Sequence, residues 1–414
     1  MTVMALLSFA AVSCNQDNVF EIIASETAPQ KPRIEGAPTN MAVFQREYTD
    51  PDDENNKITV PIMCVASGRL HWYKVEGDDK REWWDSSKYN IPQPGGRIIS
   101  LAVAGNRLYA LCHDKSNDVN ATLRYIESDG EEWETISSEA SSYPVIQSIY
   151  VDPQSTRLFA GAAGKNKNQV VTTYAVLYLG NDGKTLKLLK DNTSIFSGAA
   201  YHETEKNHYL STRGNGKIGG IFRVSEADLA ADKTDGVKHL TDGIYRNRMF
   251  ISMIKLKDTH TIIAVERSGG ALYEVHSNSF VRMRDAGGRQ INIGKYATEA
   301  LTLWEDKSRN LKLLVIGIQG ELYSTTSSSH TYGYVEFELN PNDTVFTRHD
   351  PPRWIAANQN QYTASLSKHP VNHLFQAPKD IDPDMTFFAS TQTAGLWSYR
   401  NRPDKGGWQW NAEE

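Results

Sequence analysis

The chain has 414 residues, 39% hydrophobic and 23% charged, with 29 Gly, 19 Tyr and 9 Trp. That composition belongs to a folded, turn-rich protein and excludes a disordered one. A net charge of −6 leaves no basic excess to neutralise phosphates, so no nucleic-acid partner is expected.

The first apolar run, Val3 to Val12, has the length of a signal-peptide hydrophobic region and leads through small residues to Cys14. Ala11-Val12-Ser13-Cys14 resembles the lipobox of bacterial lipoproteins. The resemblance implies cleavage before Cys14 and a diacylglycerol on its thiol. Residues 1–13 are therefore expected to be a lipoprotein signal peptide. Residues 14–38, with Pro29, Pro32 and Pro38, read as the lipidated Cys and a flexible tether. No apolar run reaches the roughly 18 residues that span a bilayer, so membrane contact is expected through the lipid alone. The expected location is the bacterial cell envelope, at the outer membrane or cell surface. Cys64 and Cys112 make no disulfide framework and read as small buried hydrophobes.

Residues 39–414 carry a repeat. An apolar-aromatic strand recurs at Trp72, Tyr125, Tyr178, Phe222, Tyr273, Tyr323 and Trp397, with intervals of 44 to 53 residues and a last interval of 74 that holds an insertion. A second apolar run precedes each copy, for example Leu108 to Cys112, Ile262 to Val265 and Phe387 to Ala389. These runs are too short and too β-branched or aromatic for helices, and their apolar residues fall on both parities, as in strands covered on both faces. A further strand lies upstream, as at Ile99, Leu101 and Val103, joined by polar turns such as Asp152 to Ser155. A fourth follows the copy, as at Leu186 to Leu189. Four strands repeated seven times predict an all-β fold, a seven-bladed β-propeller of four-stranded antiparallel blades.

Lys31-Pro32-Arg33-Ile34-Glu35-Gly36-Ala37-Pro38-Thr39-Asn40, Ala66-Ser67-Gly68-Arg69-Leu70-His71-Trp72-Tyr73 and Pro92-Gln93-Pro94-Gly95-Gly96 resemble a family of uncharacterised propeller lipoproteins from spirochaetes. That resemblance implies an envelope location and a propeller, and brings no activity. The turns Asn181 to Thr185 and Ser128 to Trp133 are similar to Asp-box hairpins, which are structural turns.

Catalytic motifs are sparse. Gly214, Gly216, Gly219 and Gly220 lack the spacing that opens a phosphate-binding helix and read as a blade loop. No H-E-x-x-H, Cys/His pair at metal-ligand spacing or G-x-S-x-G elbow is present, so no metal, cofactor or catalytic residue is assigned. Glycosidase chemistry needs two carboxylates across one sugar ring. Glu266 and Glu299 are the nearest candidates, although sequence does not pair them, and Glu266-Arg267 reads as a strand-end ion pair. Trp397, Trp408 and Trp410 read as closing the last blade.

Strand order separates the loops into two faces. The connections from second to third strand, and from one blade to the next, gather Arg213, Lys217, Arg246, Arg248, Arg267, Arg289 and Arg353, with Trp354. The opposite face gathers Asp50, Asp52, Asp53, Glu54, Glu76, Asp129 and Asp152. The basic face is the candidate binding surface for an anionic protein or glycan, because planar Arg groups fork onto carboxylate or sulfate. The leading expectation is a monomeric binding or scaffold protein. The alternatives are a glycan-active hydrolase or lyase with its site at the central channel, and an accessory subunit of envelope-assembly machinery.

Overall fold

The computed structural model describes residues 34–50, 53–76, 80–84, 91–114, 120–152, 155–165, 170–214, 219–241, 248–256, 261–284, 288, 290–294, 296–321, 333–339, 346–347, 369–402 and 407–413. Sheet one is β1 (Ala42–Asp50), β2 (Asp53–Ser67), β3 (Arg69–Glu76) and β4 (Lys80–Trp84). A nine-stranded sheet follows: β5 (Arg97–Ala104), β6 (Arg107–His113), β7 (Ala121–Glu127), β8 (Glu134–Thr135), β9 (Ser137–Ser138), β10 (Val145–Tyr150), β11 (Phe159–Lys165), β12 (Val171–Leu179) and β13 (Thr185–Thr193). Sheet three is β14 (Ile195–His202), β15 (Asn207–Arg213), β16 (Gly220–Ser225) and β17 (Lys238–His239), with the short helix α1 (Glu226–Ala230) before its last strand. Sheet four is β18 (Phe250–Lys255), β19 (Ile262–Glu266), β20 (Leu272–His276) and β21 (Ser279–Arg282). Sheet five is β22 (Tyr296–Asp306), β23 (Leu311–Glu321), β24 (Gly333–Leu339) and β25 (Phe346–Thr347). Sheet six is β26 (Val371–Gln376), β27 (Phe387–Thr391), β28 (Leu396–Arg402) and β29 (Gly407–Ala412).

Each four-stranded sheet is an antiparallel meander in chain order. The nine-stranded sheet holds two such runs, β5–β8 and β10–β13, joined by the pairing of Ile146 with Ala121 and by β9 lying parallel to β13. Second strands are buried along nearly their whole length, as in β11 and β15, because sheets cover them on both sides. The outer β21 instead has exposed and half-buried residues in alternation. Sheets approach closely where a glycine allows it: a Cβ on Gly161 of β11 would sit 2.9 Å from the Cβ of Phe196 in β14.

The core lies between sheets. Phe44, Ile62 and Trp72 pack against Leu101, Leu108 and Ile126, and comparable clusters link each strand run to the next. Trp304 stacks on Phe387 at 4.4 Å to join sheets five and six. The last cluster brings Phe388 and Leu396 against Met63, Tyr73 and Trp83 of sheet one, so the final sheet returns to the first. This is an all-β, propeller-like arrangement. Cys64 and Cys112 are both free and buried, and burial pushes the Cys112 thiol up to about 11.

Side chains latch this junction. Asp382, between β26 and β27, accepts from Tyr73 Oη at 2.9 Å and from Arg81 at 3.2 and 3.0 Å. Trp83 Nε1 donates to Glu413 at 2.7 Å. The chain before β1 joins in, since Ile34 and Gly36 accept backbone hydrogen bonds from Leu396 and Gly395 at 3.0 and 2.9 Å. Ile34 is buried, so residues 34–36 of the expected tether form part of the folded body. No helix among the described residues is long and apolar enough to cross a membrane.

Candidate functional site

The site begins with a repeated defect. In six of the strands that open a four-strand run, the ladder to the next strand skips one residue near the strand start: Ile99, Gln147, Ser197, Ile251, Glu299 and Asn372. A β-bulge leaves the extra residue unpaired and bends its strand. All six residues border one cavity of about 470 Å³, which Asn40 and Met41 close from the side of sheet one. Five of the six are uncharged. Glu299 is the carboxylate among them. On the partner strand β23 the ladder also skips Gln319, and that residue borders the same cavity.

Glu299 meets Arg213. Arg213 ends β15 of sheet three and its backbone bridges Met249, just before sheet four. Ala297 bridges Ser268, and Thr298 donates its backbone N–H to Arg267 O at 3.0 Å, which fixes the start of β22 on the other side of sheet four. The two side chains therefore reach past the inner edge of sheet four, and Arg213 Nη2 donates to Glu299 Oε1. Their side chains are 25% and 12% exposed. Arg213 Nε and Glu299 Oε2 are buried without a hydrogen-bond partner among the described residues, and such atoms cost free energy unless something satisfies them.

Two further groups share this electrostatic environment. Burial, then the Arg213 charge, lowers the His373 imidazole to about 4, so it is neutral at neutral pH. Burial raises the Tyr150 phenol, with Glu299 adding to the rise and Arg213 opposing it. Arg267 Nη2 donates to Gln319 Oε1 at 2.5 Å. The cavity thus offers a guanidinium, a carboxylate with one open oxygen, a neutral imidazole, a protonated phenol and several amides. Such groups hydrogen-bond a hydroxylated molecule, and an open carboxylate oxygen can take a proton from water.

Three of the basic-face residues expected from the sequence are described. Arg213, Arg248 and Arg267 lie close together, since Arg213 bridges Met249 and the Arg267 N–H donates to Met249 O at 2.7 Å. Each has a partner within the protein. Lys217, Arg246, Arg289, Arg353, Trp354 and Cys14 lie outside the described residues. Glu266 is buried, accepting from Arg248 Nη1 at 2.6 Å and Tyr273 Oη at 3.0 Å, and it does not border the cavity. Its ion-pair partner is Arg248 and not the adjacent Arg267, because successive residues of an extended chain point apart. Tyr150, Gln319 and His373 were not marked by any sequence motif. Their signal is the bulge register, which exists only once strands pair.

No known family profile matches the chain. No curated protein matches it either. Solved structures do. A Bacteroides uniformis protein described as a candidate 6-phosphogluconolactonase is 10% identical, with a TM-score of 0.50 over 91% of this chain and 95% of that one. The periplasmic gluconolactonase of Pseudomonas aeruginosa is 11% identical, with a TM-score of 0.49 over 91% and 97%. A second candidate 6-phosphogluconolactonase, from Bacteroides fragilis, is 9% identical, with a TM-score of 0.47 over 91% and 94%. At 10% identity and a TM-score of 0.50, the first of these shows a likeness of fold alone.

Proposed function

We propose that this chain is an exported, Cys14-anchored envelope protein with seven blades, whose channel binds a small hydroxylated ring and hydrolyses a sugar lactone. Seven blades account for five four-stranded sheets plus two such runs in the nine-stranded one. The observation that carries the functional reading is the meeting of Arg213 and Glu299 inside a polar cavity, each with an open polar atom. A volume near 470 Å³ suits a small ligand. Arg213 Nε can donate to the lactone carbonyl, where negative charge develops. Glu299 Oε2 can draw a proton from the attacking water. The water oxygen bonds to the carbonyl carbon, the ring C–O bond breaks, the ring oxygen takes the proton back from Glu299 and leaves as a hydroxyl, and the new acid gives its proton to solvent. A protein of similar fold described as a candidate 6-phosphogluconolactonase suggests sugar lactones as the class to try. Glycosidase chemistry is the weaker enzymatic reading, because Glu266 is engaged by Arg248 and Tyr273.

The test is hydrolysis of a panel of aldonolactones by the purified full chain, followed by pH-stat against the spontaneous rate. Catalysis is expected for at least one lactone, falling about a hundredfold in Arg213→Gln. A panel with no rate above background refutes the hydrolytic reading.

A second reading, an anionic protein or glycan held on the same face, is favoured by Arg248, whose side chain is 46% exposed. It predicts binding to sulfated dextran that weakens steeply with salt.

A further inference from the structure

We infer that Glu299 sets the charge specificity of the channel, admitting the neutral lactone and rejecting the hydroxy acid that hydrolysis makes. This inference rests on the hydrolytic reading above. Among the cavity-bordering residues, Arg213 supplies the positive charge and Glu299 the negative, and the two are already paired. With His373 neutral and Tyr150 protonated, the described residues of the wall carry no net charge.

An uncharged ring meets such a wall without repulsion. A carboxylate does not, because the Arg213 charge is already offset by Glu299, whose second oxygen is open. Glu299 is also held in place. The neighbouring Thr298 is tied by its N–H to Arg267 O and by its hydroxyl to Glu266 O at 3.1 Å, and Ala300 resumes the ladder with Gly317. The bulge therefore keeps a fixed negative charge where the product's new charge arises. Ring opening turns a neutral ligand into an anion, and like charges partly shielded from water repel more strongly than in bulk solvent. Product leaves for the reason that substrate enters.

The experiment measures the affinity of the full chain for D-glucono-1,5-lactam, which keeps the ring but has no ester, and for D-gluconate, by calorimetry. Wild type should bind the lactam at least tenfold more tightly than gluconate. Glu299→Gln keeps the shape and removes the charge, so gluconate should tighten at least tenfold while the lactam changes less than threefold. Glu299→Asp retains the charge and should restore the rejection. Gluconate affinity unchanged or weaker in Glu299→Gln, with the lactam still bound, overturns this inference and leaves the hydrolytic reading standing. If wild type and both variants, folded by circular dichroism, bind neither compound, the channel reading itself falls.

Discussion

Replacing Asp382 by Asn tests whether the first and last sheets are held by a buried charge latch. Asp382 is fully buried and accepts from Tyr73 Oη, Arg81 Nε and Nη2, and the Asp384 N–H. The Arg81 side chain is only 4% exposed, so neutralising its partner leaves a buried guanidinium with Asp384, at 2.6 Å, as its remaining carboxylate. Breaking a buried pair on one side costs about 3 to 5 kcal/mol. The surviving Asp384 contact places this case near the low end, about 3 kcal/mol. Unfolding entropy of roughly 2.1 cal/mol/K per residue gives about 0.9 kcal/mol/K for a chain of this length, so Tm should fall by roughly 3 °C. The pH dependence has a definite sign. Burial pushes the Asp382 carboxyl up, but hydrogen bonds from Arg81 and Thr386, with the Arg81 charge, outweigh it and hold it below the usual range. A depressed folded pKa means stabilisation that is complete above the unfolded value near 3.9 and is lost as pH falls below it. Differential scanning calorimetry of wild type, Asp382→Asn and the more exposed Asp384→Asn at pH 7 and pH 3.5 reads both effects. Equal Tm for wild type and Asp382→Asn at pH 7, or equal losses for the two variants, would refute the latch.

Other outcomes follow from the same geometry. Burial raises the Glu226 carboxyl, but His208 and Arg157 outweigh it and bring it to about 2. Stability should therefore drop by about 1 kcal/mol between pH 4.5 and 2, after allowance for the group's partial exposure, and Glu226→Gln should flatten that stretch of the denaturation curve. Trp304→Ala empties the stack on Phe387 between sheets five and six, and should cost about 3 to 5 kcal/mol in urea titration. Cys14→Ser should move the chain from the membrane fraction to the soluble fraction in detergent partitioning, and unchanged partitioning would remove the lipid anchor from the proposal.

The strand pattern was legible because it is local. Leu108 to Cys112 and Ile262 to Val265 show apolar residues on both parities, and they fold as β6 and β19, covered from two sides. Trp408 and Trp410, read as closing the last blade, lie in β29 at the sheet edge. The site was legible only in pieces. Arg213 was singled out as part of a basic face and Glu299 as an unpaired candidate carboxylate, but they stand 86 residues apart, and which loops meet over the channel depends on the closure of all the sheets. Bulges are invisible for a related reason. Whether Glu299 or Asn372 is skipped depends on the register of the neighbouring strand, which no periodicity in its own segment records. Ile34 to Gly36 escaped notice because their pairing with sheet six is short and lies far from it in sequence.

The central claim, that the ligand sits in the channel beside Arg213, is tested most directly by NMR titration of the His373 imidazole with D-glucono-1,5-lactam. Arg213 and His373 share the cavity, so the His373 ring signals should shift and saturate in wild type and stay still in Arg213→Gln. Saturable lactam binding that leaves the His373 signals unmoved would contradict the account.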